Sequence, residues 1–292
     1  MTKGFMMFAY NNEQIDYMKL ATVASSALKK YMPDIPVVLV TNERSIKEFS
    51  KKQSQRKLIE KTWDEVIMTD PEYETNIRIH QDGAYKSFNA QFTNTNKHDI
   101  YNLTPFDETI LIDTDYLVGS NNLEMLFGGQ SNVAMHRDAM NLRCEEPYTT
   151  ERWLHYAGIR MWWSTVVYWR KSEEAEHFFN VWAHVKDHWE YYRFLYKFPG
   201  SLYRTDYAAS IASHLCDGMQ DGGFVGRIPL HMRYQDQRDD IIVVKGANDW
   251  IMLSNLPEEY KNIAVRITGE DIHMMNKLSI LRNYRSIMRC MT

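Results

Sequence analysis

Three short runs, Phe5-Met6-Met7-Phe8-Ala9, Val37-Val38-Leu39-Val40 and Thr109-Ile110-Leu111-Ile112, are largely apolar with no polar alternation, and each stops at a polar turn. Runs this short do not make stable helices. A strand that is apolar on both sides must have both faces covered, as in a parallel sheet with helices above and below it. The intervening stretches agree with that reading. Ile15, Met18, Ala21, Ser25 and Leu28 recur at helical spacing, and the helix they predict stops before Pro33 and Pro36. A basic helix is expected around Ser45 to Leu58 and a weaker strand at Glu65 to Met68. A polar loop from Pro71 to Gly83 should then lead into a helix carrying Tyr85, Phe88 and Phe92. Strand and helix alternating in this order predict an α/β fold with a parallel sheet built from βα units. Ligands of such sheets bind beyond the carboxyl ends of the strands, so Tyr10 to Asn12, Thr41-Asn42 and Asp113 to Asp115 are expected to share one crevice.

The second half is less regular. Val133 to Met135 and Val166 to Trp169 read as short strands and Ser172 to Tyr196 as one long amphipathic helix. A further helix should begin near Thr205-Asp206, where either side chain can cap it, and end at Gly218. No repeat, low-complexity tract or clear linker interrupts the 292 residues. They are read as a single domain with two halves, residues 1–130 and 131–292.

A net charge of -4 gives no global attraction to nucleic acid, so any polyanion would need a local basic face. Cys144, Cys216 and Cys290 are odd in number, far apart and in no Cys-x-x-Cys spacing, which argues for reduced thiols and against a disulfide framework or a zinc site. The N-terminal apolar run is too short for a secretory signal. The stretch Ile159 to Trp169 is interrupted by Arg160, Ser164 and Thr165 and falls well short of the roughly 20 residues that span a bilayer. A soluble, cytoplasmic protein with no membrane partner is expected.

No Gly-x-Gly-x-x-Gly follows the first strand and no Gly-Lys-Ser/Thr loop is present, so a dinucleotide enzyme or P-loop ATPase would lack its phosphate cradle. Phosphate has to be held in another way. Asp113-Thr114-Asp115 follows the fourth strand of the series directly. Two carboxylates spaced like this can hold a hard cation, which in turn can bind diphosphate oxygens and neutralise a leaving group. Acidic residues at a strand's end also serve as plain solvated turns; here the preceding apolar strand and its place in the βα order favour the cation.

With that motif in place the sequence resembles the GT-A glycosyltransferases, especially the glycogenin-like group, in which a strand ends in Asp-x-Asp and a His near the C-terminus completes the metal site. Asp271-Ile272-His273-Met274-Met275-Asn276-Lys277 looks like a reduced form of that group's His-x-x-Gly-x-x-Lys signature, without the central Gly or the following Pro-Trp and with the Lys earlier. The resemblance implies an α/β, GT-A (Rossmann-like) fold with a mixed, mostly parallel sheet flanked by helices and a helical acceptor-side region. Residues 1–130 would form its nucleotide-sugar half, and residues 131–292 its acceptor half with a C-terminal metal- and phosphate-contacting segment. It implies Asp113, Asp115 and His273 as metal ligands and Lys277 as a phosphate contact. Two carboxylates and an imidazole suit Mn²⁺ better than Mg²⁺.

Ala9-Tyr10-Asn11-Asn12 resembles the family's base-binding turn, with Tyr10 stacking on uracil and Asn12 beside it, and Arg78 and Lys86 match basic positions near ribose and phosphate. Asp206, in Arg204-Thr205-Asp206-Tyr207, matches an acidic residue facing the donor sugar, and joins Asp115 as a catalytic candidate. Arg204 and Trp163, the latter if exposed, would belong to the acceptor side. The implied reaction moves a sugar from a UDP-sugar to a hydroxyl. Asp115, read as an exposed loop residue, should then be removable at no cost to the fold.

Phe8-Ala9-Tyr10-Asn11-Asn12-Glu13, Trp163-Ser164-Thr165-Val166-Val167-Tyr168 and His273-Met274-Met275-Asn276-Lys277 also resemble glycosyltransferases of tailed bacteriophages, including those that add arabinose to hydroxymethylated cytosine in DNA. Lys277, Arg282, Arg285 and Arg289, with Arg143, Arg152 and Arg160, could follow phosphates while an extruded base enters the crevice. A saccharide or protein acceptor, a nucleotidyltransferase and a non-catalytic sugar- or nucleic-acid-binding module are the other readings.

Overall fold

The computed structural model describes residues 1–71, 76–145, 153–154, 158–198, 200, 202–256, 259 and 261–291. Strands β1 (Lys3–Ala9), β2 (Val37–Thr41) and β3 (Glu65–Met68) lie parallel side by side. A hairpin of β4 (Ile77–Gln81) and β5 (Ser87–Gln91) stands apart from them. β6 (Glu108–Ile112) joins β1 in parallel on its other side, and β7 (Tyr116–Leu117) follows the acidic turn. β1, β2 and β6 are buried along almost their whole length, as their uninterrupted apolar runs require.

The second half extends this sheet with β8 (Val133–His136) and β10 (Trp163–Arg170), while β9 (Ala139–Met140) leaves it. β11 (Gly226–Arg227) closes one edge, giving the order β11-β8-β10-β6-β1-β2-β3, in which only β10 runs against its neighbours. β12 (Met232–Gln235) belongs to a small second sheet. β13 (Asp240–Gly246), β14 (Asp249–Leu256) and β15 (Lys261–Thr268) form an antiparallel meander, and β16 (Ile272–Met274) completes the small sheet in the order β7-β16-β12-β9. The expected mixed, mostly parallel sheet flanked by helices is what the chain forms. Among the described residues no helix is long and apolar enough to cross a membrane.

Local chemistry explains the helix ends. Asp16 caps the helix Tyr17–Tyr31 by accepting from the Lys19 amide, and Asn42 caps Glu43–Phe49 through the Ser45 amide. Three expectations are corrected. The basic helix at 45–58 is two helices, Glu43–Phe49 and Gln53–Thr62, because Lys52 adopts extended backbone between them. The long helix at 172–196 breaks at His188 into Glu173–Asp187 and Trp189–Leu195, which lets Trp189 pack its ring on Phe198 and Tyr203.

The third correction matters most for the site: the expected helix with Tyr85, Phe88 and Phe92 is the β4–β5 hairpin, turning at Gly83 with φ +79°. β5 alternates in the usual sense, with Phe88 and Ala90 more buried than Ser87 and Asn89, but β4 alternates inverted. Along β4 Arg78 and His80 are the more buried and Ile77 and Ile79 the exposed residues, so the strand hides from a reading that expects apolar residues to be the buried ones.

Candidate active site

β6 is a central strand, and its register carries Asp113 and Asp115 to the edge of a cleft. The turn is held by backbone bonds: the Asp113 amide donates to the Thr165 carbonyl at 2.9 Å and the Met274 amide to the Asp115 carbonyl at 2.7 Å. Antiparallel pairing of β7 with β16 sets His273 opposite Tyr116, next to the acidic turn. One donor atom from each of Asp113, Asp115 and His273 lies within 4.8 Å of the others. Trp163 packs edge-on against the His273 ring at 6.2 Å, and Thr165 Oγ1 lies 3.3 Å from Nδ1, which restrains the imidazole.

Two lysines flank the carboxylates. Lys277 Nζ donates to Asp115 Oδ2 at 2.5 Å, and Lys97 Nζ donates to Asp113 Oδ1 at 2.6 Å and to the Ser164 carbonyl. Burial opposes charge on Asp115, but Lys277 and His273 outweigh it and hold the carboxyl far below the usual range. Burial pushes the Asp113 carboxyl up against the pull of Lys97, with Asp115 adding repulsion. A divalent cation bound here would favour the ionised form of the half-buried Asp113 and would share the two carboxylates with Lys97 and Lys277. Two carboxylate oxygens and an imidazole nitrogen fit Mn²⁺, or Mg²⁺ with water completing its shell. Asp115 is only 3% exposed, so the expectation of an exposed loop carboxylate is corrected: it is a buried, paired group.

The cleft encloses about 390 Å³ and is lined also by Tyr10, Arg78, Trp163, Arg204 and Asp206. A second cleft of about 430 Å³ shares Tyr10 and Thr93 with it and contains Asn12, Asn42 and Arg44. The single expected crevice is thus two neighbours meeting at Tyr10. Tyr10 donates to or accepts from Thr69 Oγ1 at 2.6 Å, and burial pushes its hydroxyl up to about 12. Asn12 is engaged in its own turn, accepting from the Gln14 and Ile15 amides and donating to the Gln91 carbonyl.

Arg78 stacks over Phe92 at 3.5 Å and donates to the Tyr203 carbonyl, and burial together with Arg204 lowers it to about 10. Asp206 is not a helix cap. Its Oδ1 accepts from both the amide and the hydroxyl of Ser164 at 2.8 Å, which ties the helix Thr205–Cys216 to β10. Burial opposes its charge, yet Arg204, Lys97 and the Ser164 bonds keep its carboxyl low. Arg204 itself donates to the Tyr207 hydroxyl at 3.1 Å.

Two expected residues stand differently. Lys86 is exposed beside the hairpin turn and lines neither cleft, because the segment is a hairpin and not a helix. Trp163 is 2% exposed and stacked on Tyr234, so it walls the cleft from behind and offers no open ring face. The basic run proposed to follow DNA is not a continuous track. Lys277 turns into the cleft, Arg282 pairs with Asp82 and Asp240, Arg143 pairs with Glu145, and Arg160 lies over Trp153. Arg152 falls outside the described residues.

The residue the sequence reading missed is Lys97. It sits in a 3-10 turn, Lys97–Asp99, that reads locally as a polar loop, and nothing in its neighbours marks a lysine that ends 1% exposed. The one available signal is a basic residue shortly upstream of the acidic strand.

No known protein family matches the chain, and no curated protein matches it in sequence. Solved structures do match its fold. The apo form of the glycosyltransferase GlyE of Streptococcus pneumoniae TIGR4 matches with a TM-score of 0.41 and 15% identity over 73% of this chain and 44% of that one. Mouse xyloside xylosyltransferase 1, also apo, gives 0.46 and 15% over 78% and 85% of the respective chains. The galactosyltransferase LgtC, solved with donor and acceptor sugar analogues, gives 0.44 and 12% over 71% and 69%. This chain therefore spans less than half the length of GlyE, and likenesses this distant concern the course of the backbone alone.

Proposed function

We propose that this chain is a metal-dependent glycosyltransferase moving a sugar from a UDP-sugar to a hydroxyl acceptor. The observation that carries the reading is the convergence of Asp113, Asp115 and His273, with Lys277 bonded to Asp115, at the carboxyl end of a central strand. Asp113, Asp115 and His273 would hold the cation, Mn²⁺ by preference or Mg²⁺. When bound, it supplies positive charge to the diphosphate that departs as the glycosidic bond breaks.

The chain's own residues do the rest. Lys277 brings a second positive charge to the same point, so charge developing on the leaving group meets a fixed cation. Lys97 holds Asp113 against the Ser164 carbonyl and so keeps that ligand in one orientation. Asp206, low in pKa and fixed by Ser164, is suited to accept hydrogen bonds from donor-sugar hydroxyls. Tyr10, at the junction of the two clefts, is the candidate for stacking on the base, and Arg78 provides a buried cation beside the diphosphate path.

Of the acceptors raised by the sequence, hydroxymethylated cytosine in duplex DNA draws least support, since three of the basic residues invoked for it, Arg143, Lys277 and Arg282, are paired with carboxylates. Incubating plain and hydroxymethylated duplexes with UDP-sugars and weighing the released nucleosides tests it; no mass gain removes DNA as the acceptor.

Calorimetric titration with UDP, with and without Mn²⁺, tests the reading as a whole. Manganese-dependent binding that disappears in Asp113→Asn supports it. Preference for a nucleoside triphosphate would instead indicate a nucleotidyltransferase. Binding that is absent or indifferent to metal would indicate a non-catalytic module.

A further inference from the structure

Where β4 borders the cleft, its polar Arg78 and His80 are the more buried residues and its apolar Ile79 is open. Ile79, on β4, is 72% exposed, and Leu202 is 43% exposed; both line the same cleft as the acidic cluster. Exposed apolar side chains scattered singly need no account, but two that border one polar, charged cleft do. Arg78, next to Ile79 in sequence, stacks on Phe92 and donates to the Tyr203 carbonyl, and Arg204, two residues after Leu202, donates to the Tyr207 hydroxyl. The cations of the cleft interior, Lys97 and Lys277, are held by Asp113 and Asp115. The open part of the cleft therefore presents hydrocarbon to whatever enters beside the donor, while the charges that grip phosphate lie deeper.

Building on the transferase reading, we infer that the acceptor carries an alkyl or aryl group beside the hydroxyl that receives the sugar, and that this group packs on Ile79 and Leu202. Water leaves two exposed aliphatic side chains and one apolar flank of the acceptor on binding, which favours such an acceptor over its fully polar counterpart. The polar part of the acceptor then faces the deeper cleft, so the same contact that supplies affinity also directs the hydroxyl inward.

The test uses the full chain saturated with Mn²⁺ and UDP, so that the donor side is filled. Its probes are p-nitrophenyl and octyl β-glucosides and β-galactosides, titrated beside free glucose and galactose. Both glycoside types are expected to bind at least about tenfold more tightly than the matching free sugar. Ile79→Asn and Leu202→Asn are each expected to reduce that advantage several-fold, and the double variant to erase it. Because both positions are exposed, the melting temperature should move by no more than about 2 °C, which separates lost contact from lost fold. Equal affinity for glycoside and free sugar, no binding of either, or an advantage that survives the double substitution overturns the inference. UDP binding is recorded first in the same sample. If it fails, the transferase reading has failed and not the acceptor inference alone.

Discussion

Lys277 Nζ sits 2.5 Å from Asp115 Oδ2, joining the first residue of the C-terminal helix Lys277–Met291 to the end of the acidic turn across 162 positions of sequence. Lys277 is held protonated in spite of its burial, because Asp115 outweighs the desolvation. The pair thus stays charged on both sides, ready to meet a dianionic leaving group. Lys277→Ala is expected to lower kcat/KM for transfer by roughly 10²-fold or more. Lys277→Arg should recover part of the stability but little of the rate, since a planar guanidinium does not replace a point charge. An unchanged rate in Lys277→Ala would remove the residue from the chemistry.

Asp115→Asn keeps the size of the side chain but leaves Lys277 buried without its carboxylate. Transfer should be abolished, and the variant should also unfold at lower urea, with a loss of about 2–4 kcal/mol. Inactivity with full stability would contradict the buried pairing.

Lys97→Met removes the cation from Asp113 and the donor from the Ser164 carbonyl. The expected loss is about 2–4 kcal/mol in the metal-free protein. Mn²⁺ with UDP should raise the melting temperature of this variant more than that of the parent, since the bound cation then compensates Asp113. Thermal scans with and without the pair measure the difference, and equal shifts would refute it.

Gly119 follows β7, and a Cβ there would meet the Glu270 carbonyl oxygen at 2.1 Å, which is backbone that cannot swing aside. Gly119→Ala is therefore expected to disturb the β7–β16 pairing that brings His273 to Asp115. Manganese affinity should fall about tenfold or more and stability by roughly 1–3 kcal/mol. Calorimetry on the variant gives both numbers, and parental affinity would show the pairing to be indifferent to this contact.

Burial raises the Asp239 carboxyl to about 6, only partly offset by the Asn255 amide. A carboxyl whose folded pKa lies above its unfolded value favours the folded state at low pH. That stability is fully present below about pH 4 and is lost as pH rises through about 6. Asp271, pushed up to about 6 by burial, acts in the same direction. Asp239→Asn should flatten the decline in unfolding free energy between about pH 4 and 7 by roughly 2 kcal/mol, with the Asp271 share remaining. A slope identical to that of the parent in denaturant titrations would refute the assignment.

The elements the sequence revealed are those whose own side chains decide them. β1, β2 and β6 are apolar on both faces and can only be interior strands, and the helix Tyr17–Tyr31 shows its period and its Asp16 cap locally. The acidic turn was legible because it follows such a strand directly. The β4–β5 hairpin was not, since in β4 Arg78 and His80 are the more buried residues while Ile77 and Ile79 are exposed, the reverse of the usual alternation. The meander β13–β14–β15 also escaped, although β14 alternates cleanly with Trp250, Met252 and Ser254 turned inward.

Sequence alone therefore determined the central sheet, its helical cover and the place of two carboxylates at a strand end, because hydrophobic period and turn chemistry act over a few neighbouring residues. Tertiary structure alone decided which cations meet those carboxylates, that Lys97 is one of them and Lys86 is not, and that Asp115 is buried. The physical reason is that charge pairing depends on distance through space. That distance was set by the pairing of β7 with β16 and by where the Lys97 turn and the C-terminal helix begin.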